Sequence, residues 1–221
     1  MYLEGVTFPL TVSQVINVKN NFRICLKILA DGMMQFRFVL QLVDKINIAW
    51  IRFQVRGNRS PWFDGLERHT IEGNDVVDLE ISALNVTNIS PLSALRKLRG
   101  FVCVASTDGS KRSTLSDISP LRGLPLGKLR IPATDVSDLS PVAGMPLNHL
   151  GIGHTRITDL SPLKGAPLDT LMAQGVPLRD LSPLRGMPLK TIWCDKAVTA
   201  TPANQEILKS IPTLKTIQTG K

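Results

Sequence analysis

Along the second half of the chain the apolar positions recur with a fixed period. One period holds Leu126, Leu129, Ile131, Val136, Leu139, Val142 and Met145. The next holds Leu147, Leu150, Ile152, Ile157, Leu160 and Leu163, and the third Leu168, Leu171, Ala173, Leu178, Leu181, Leu184 and Met187. The pattern is L-x-x-L-x-L, then a return path with an apolar residue every two or three positions. No single helix or strand has that spacing, but one turn of a solenoid does. The L-x-L piece alternates in and out and predicts a short strand. Copies one period apart then stack as a parallel sheet.

The return path carries its own marker. Ser119-Pro120-Leu121-Arg122-Gly123, Ser140-Pro141-Val142-Ala143-Gly144, Ser161-Pro162-Leu163-Lys164-Gly165 and Ser182-Pro183-Leu184-Arg185-Gly186 start 21 residues apart. A fifth copy, Ser90-Pro91-Leu92-Ser93-Ala94, lies 29 residues before Ser119, which places an insertion in the polar stretch 106–113. Ser at an N-cap with Pro at the first helical position reads as a helix start. Gly four residues after that Ser, with a Pro two further on in the later copies, ends it. The expected return is a single 3₁₀ turn. Such a unit cannot bury its apolar face alone, so stability comes from stacking.

These residues resemble the bacterial leucine-rich repeat proteins of the D-L-S-P-L-x-G-M-P-L type. The resemblance rests on Asp138-Leu139-Ser140-Pro141-Val142-Ala143-Gly144-Met145-Pro146-Leu147 and on the run from Asp180 to Leu189. The terminal segment Glu206 to Ile217 and the lead-in from Phe63-Asp64-Gly65 through His69 and Val76 to Leu79 are similar as well. The similarity spans roughly residues 57–221. It implies an α/β solenoid of about five or six coils. It also implies repeats that occur alone or C-terminal to serine/threonine kinases and act as protein-interaction surfaces. No enzymatic residue comes with them.

Three regions are expected: a β-rich N-terminal region or cap over 1–56, the solenoid over 57–200, and a C-terminal cap over 201–221. In the last, Thr201-Pro202 before Ile207, Leu208 and Ile211 predicts a short helix over the final coil, and Leu214 to Ile217 a final strand. Residues 1–56 fit no repeat. Alternation through Phe22, Ile24, Leu26 and Ile28, then Phe36, Phe38, Leu40 and Leu42, with Asp31-Gly32 between, predicts an antiparallel meander. A helix over 15–29 competes with that reading.

The outward strand positions form the concave face. Between the two strand leucines stand Arg130, Gly151, Met172 and Trp193. Flanking columns hold Lys128, His149, Thr170 and Thr191, then Pro132, Gly153, Gln174 and Asp195. These positions vary while the framework does not, as an interaction surface requires. The partner-binding residues expected are Lys128, Arg130, His149, Met172, Gln174, Trp193 and Asp195, with Trp193, Arg130 and Met172 as anchors.

Other columns read as framework. Asp117, Asp138, Asp159 and Asp180 share one phase. A metal stripe is one reading; the simpler one is that each accepts hydrogen bonds from its own turn. Arg122, Lys164 and Arg185 share another phase, broken by Ala143, and are expected to be solvated. Ser161-Pro162-Leu163-Lys164 matches S-x-x-K, but its repeat counterparts do not keep the Lys, so it is a coincidence of the repeat. His69, His149 and His154 form no catalytic or metal-binding spacing. No Gly-rich phosphate loop or kinase catalytic motif is present. Neither catalysis nor a cofactor or metal is expected.

Charge widens the choice of partner only slightly. The chain of 221 residues carries 26 Lys+Arg against 18 Asp+Glu, a net +8. Residues 1–56, with seven basic and three acidic residues, supply four of these charges. No block of five like charges occurs, and aromatics are only 5%. Contact with nucleic acid or an anionic surface is therefore a minor reading. A second alternative is a detached regulatory part of a signalling kinase. Cys25, Cys103 and Cys194 are far apart and odd in number, which suits a reducing compartment. No basic leader region and no apolar run of membrane-spanning length appear. The sequence reading is a cytoplasmic, monomeric, non-catalytic module that binds a protein partner.

Overall fold

The computed structural model describes residues 68–220 apart from 74, 85 and 107–109. The expectations for residues 1–56, with Cys25 and the Asp31-Gly32 hairpin, lie outside the described residues. Eight strands form one sheet in sequence order. They are β1 (Arg68–Glu72), β2 (Asp75–Ser82), β3 (Gly100–Val104), β4 (Lys128–Arg130), β5 (His149–Gly151), β6 (Thr170–Ala173), β7 (Thr191–Asp195) and β8 (Thr216–Gly220). β1 pairs antiparallel with β2, with a register shift between Thr70 and Ile71. Every later neighbour is parallel.

The register explains why the 21-residue period works. Leu79, Phe101, Leu129, Leu150, Leu171, Ile192 and Ile217 pair in one row. All but the last are fully buried, and Ile217, on the terminal strand, is 48% exposed. A one-residue slip of any coil would turn its inward column to solvent. Behind the sheet, Leu92, Leu121, Val142, Leu163 and Leu184 project inward from five 3₁₀ turns and are buried. Each such side chain contributes about 1.5–3 kcal/mol on burial. Cys103 and Cys194 occupy the inner strand column and are fully buried. Burial pushes their thiols up, to about 12 and about 11.

The returns are 3₁₀ turns at Ser90–Ala94, Ser119–Leu121, Ser140–Val142, Ser161–Leu163 and Ser182–Leu184. One expectation is corrected here. Ser is not the N-cap; it is the first residue of the turn, and Ile118, Leu139, Leu160 or Leu181 precedes it. The capping acceptor is the Asp two residues before Ser. Oδ1 of Asp117, Asp138, Asp159 and Asp180 accepts the Ser backbone N–H at 2.7–2.8 Å. Oδ2 of the same carboxylate accepts the Ser hydroxyl. A carboxylate engages both groups at once, whereas a Ser cap offers a single oxygen. In the first turn Asn88 Oδ1 accepts from Ser90 N–H instead. The turns end at Gly123, Gly144, Gly165 and Gly186, with φ of 74–80°.

A second left-handed position recurs after strands β4 to β6, at Ala133, His154 and Gly175 (φ 55°, 57° and 65°). Ala and His carry strain there that Gly avoids. Next to it, Thr134 and Thr155 are buried and donate their hydroxyls to Ile131 and Ile152 carbonyls at 2.8 and 2.7 Å.

The C-terminal end is closed by α1 (Lys196–Thr199) and α2 (Pro202–Lys209). Thr201 is the N-cap of α2 and Ile207 and Leu208 are buried. The buried Asn204 of α2 takes the place of a further coil. Its Oδ1 accepts Leu181 N–H, and its amide donates to the carbonyls of Arg179 and Val198. None of the described helices is long and apolar enough to cross a membrane.

Candidate functional site

The outward side of the sheet forms two aligned columns. The register places Asp78, Gly100, Lys128, His149, Thr170, Thr191 and Thr216 in one. Glu80, Val102, Arg130, Gly151, Met172, Trp193 and Gln218 make the other. The expected site residues Lys128, Arg130, His149, Met172 and Trp193 fall together in this grid. Lys128 is exposed and the other four are half-buried. Gln174 lies one residue past β6 and Asp195 at the end of β7, both half-buried. Their column is weaker than the sequence reading has it. Pro132 and Gly153 lie beyond the ends of β4 and β5 and are buried. Asp195 also has a framework duty: its Oδ1 accepts the Gly175 N–H at 2.9 Å, bridging two coils.

Arg130 is the least ordinary member. Gly151 leaves a gap beside it on the next strand, and the Arg side chain lies across that gap. A Cβ placed on Gly151 would stand 3.1 Å from Arg130 Cγ and 3.5 Å from Nε. The Nε is buried and has no hydrogen-bond partner among the described residues. The described carboxylates that form ion pairs, such as Asp75 with Lys97 and Asp169 with Lys190, leave Lys128 and Arg130 aside. His149 registers the resulting field. Burial first, then the Arg130 and Lys128 charges, hold its pKa below the usual histidine value, against an opposing pull from Asp169.

The β2 end of the face is different. A shallow cleft of about 350 Å³ opens between β1, β2, β3 and β4, where Asp78 and Glu80 share the lining with Arg68 and Lys128. Asp78 leans over Gly100, so that a Cβ there would collide with its carboxylate at 2.0 Å. Sequence reasoning did not place Asp78 and Glu80 on this face. Asp78-Leu79-Glu80 aligned with Lys128-Leu129-Arg130 carries the signal, but the insertion between them hides it.

The remaining columns are framework. The Asp column on the returns is engaged by its own Ser residues, which hold each of these carboxyls below the usual 3.8. No group of three or more His, Cys, Asp and Glu able to hold a metal occurs among the described residues. Arg122, Lys164 and Arg185 are exposed on the return side. Arg112, from the insertion, ties coils together instead, donating to the carbonyls of His154 and Thr134 and to Asp135.

A parallel sheet with one strand and one 3₁₀ return per 21 residues, closed by a helical cap, is a leucine-rich repeat solenoid. Similar solved structures include internalin C2 from Listeria monocytogenes, at 24% identity and a TM-score of 0.50. The match covers 64% of this chain and 60% of that one. A second is an internalin, inlF, from the same organism, at 17% identity and a TM-score of 0.45, covering 67% and 51%. The likeness to internalin C2 is one of fold, and this chain spans somewhat over half the length of either. No protein-family model matches the chain, and neither does any curated protein.

Proposed function

We propose that the protein is a non-catalytic interaction module that binds a protein partner on the concave face. The observation that carries this reading is the contrast between the two sides of each strand. The inward positions repeat the same apolar types. The outward ones run from acidic (Asp78, Glu80) through basic (Lys128, Arg130) to apolar (Met172) and aromatic (Trp193). A face with only a solubilising task would need no such order. Half-burial of Met172 and Trp193 beside each other supplies an anchor of the kind that dominates interface energetics. The stacked framework is rigid, so docking involves little rearrangement. The partner-binding set is Lys128, Arg130, His149, Met172, Gln174 and Trp193, with Asp195 contributing through the turn it holds.

The test is capture from the host lysate at low and moderate salt. The baits are the full chain, a Trp193→Ala/Arg130→Glu variant and an Arg122→Glu/Lys164→Glu/Arg185→Glu variant, each shown folded by circular dichroism. A protein kept at moderate salt by the first and third baits and lost from the second is the expected result. Equal retention by all three baits, or retention only of nucleic acid that salt removes, would sink the proposal.

A further inference from the structure

The geometry points to the chemistry of the docking segment: an extended acidic–apolar peptide stretch of the partner. One carboxylate sits on Lys128, Arg130 and His149, and a large apolar side chain four residues away sits on Met172 and Trp193. This rests on the concave-face reading above and names what that face selects.

Three observations converge. First, two cations stand on one strand of the face, with a histidine beside them on the next. Lys128 and Arg130 flank Leu129 on β4, and His149 is the register partner of Lys128 on β5. No described carboxylate forms a salt bridge with Lys128 or Arg130, as with Arg122, Lys164 and Arg185 on the returns, but only on β4 do two such cations share one strand. Second, the Arg130 side chain lies against Gly151, and its buried Nε has no hydrogen-bond partner among the described residues. An unpaired donor group on a planar guanidinium is suited to two-point recognition of a carboxylate. Third, the positions beyond it turn neutral and apolar: Gly151, Met172 and Trp193 in one column, Thr170 and Thr191 in the other.

The same map argues against nucleic acid. A polyphosphate track needs cations along its whole length. From β2 to β8 the outward Lys and Arg residues are confined to β4, Arg68 on β1 stands beside Glu80, and Asp78 and Glu80 on β2 would repel a strand running the other way. A single carboxylate beside an apolar anchor matches the face at both ends.

The spacing follows from sheet geometry. Arg130 and Trp193 are three strands apart, roughly 14 Å at about 4.8 Å per strand. An extended segment crossing the strands covers that distance in about four residues at about 3.4 Å each. Residues i and i+4 of such a segment face the same way. The expected pattern is Asp or Glu and a Leu, Met, Phe, Tyr or Trp four positions away, in either chain direction.

Selection of random twelve-residue displayed peptides on the immobilised full chain tests this. Enrichment of that spacing is expected. Synthetic copies of the winners should lose at least tenfold in affinity on Arg130→Glu and on Trp193→Ala. Replacing the peptide's acid by Lys should restore binding to the Arg130→Glu chain. A bound carboxylate opposes the Lys128 and Arg130 charges at His149, adding to Asp169. The His149 pKa, followed by NMR, should therefore rise on binding, and affinity should strengthen as pH falls through its range. An empty selection, winners without an acid, or no rescue by charge reversal would overturn the inference. If those winners still lose binding on Trp193→Ala, the concave-face reading stands alone; winners blind to both substitutions contradict both.

Discussion

At the scale of single residues, the Asp of each of the four later returns takes the capping role that the sequence pattern assigned to the neighbouring Ser. Its two oxygens hold one backbone N–H and one hydroxyl, and both bonds favour the ionised form. The sign of the pH effect follows. The folded-state pKa of Asp117, Asp138, Asp159 and Asp180 lies below the usual 3.8. The stabilisation is complete above that value and is lost as pH falls through the folded pKa values. Thermal melts from pH 7 to pH 2.5 should show a fall in Tm that begins near pH 4. Replacing the four by Asn, the residue that stands at Asn88, should flatten that fall while keeping the N–H bond. A melt curve of unchanged slope in the Asn variant would count against it. The buried thiols give a second residue-scale prediction. Cys103 and Cys194, fully buried and pushed up to about 12 and about 11, should be inert to a thiol reagent at neutral pH and react only on unfolding.

At the scale of elements, the period made the strands and returns legible because each coil repeats the same inward set. Leu150, buried between Leu129 and Leu171 in the register, should cost about 2–5 kcal/mol on replacement by Ala, measured by urea denaturation. The turn glycines are equally readable, and Gly144→Ala has open space around it, so its cost is that of the left-handed backbone, about 1–2 kcal/mol. Other features left no pattern to read. The left-handed position after the strands is filled by Ala133, His154 and Gly175, three types that share no signal. The capping role of Asn204 depends on a helix folding back onto Arg179 and Leu181, a contact over more than twenty residues. Asn204→Ala would orphan the Leu181 N–H and two carbonyls, a loss of about 1–3 kcal/mol per unsatisfied group. Amide hydrogen exchange should speed up at Leu181 before it does at Leu139.

At the scale of the whole molecule, the outward face of the sheet was legible as a set of varying positions but not as an ordered surface. The repeat phase placed Lys128, Arg130, His149, Met172 and Trp193 on it. The draping of Arg130 over Gly151 and the use of Asp195 to hold Gly175 are contacts between coils, which no single repeat encodes. The acidic start of the face was hidden because the insertion before Ser119 breaks the phase that would align Asp78 with Lys128. The net charge of +8 says little about the partner, since residues 1–56 alone supply four of those charges and the outward columns from β2 to β8 hold only two Lys or Arg residues. The central claim is that this sheet, and not the returns, meets the partner. Site-specific photocrosslinking tests it most directly. A photoreactive residue is placed at Thr170, on the concave face, or at Lys164, on the return, and the full chain is irradiated in host lysate. The account predicts a discrete crosslinked protein from position 170 and none from 164. A product from 164 alone, or the same product from both, would contradict it.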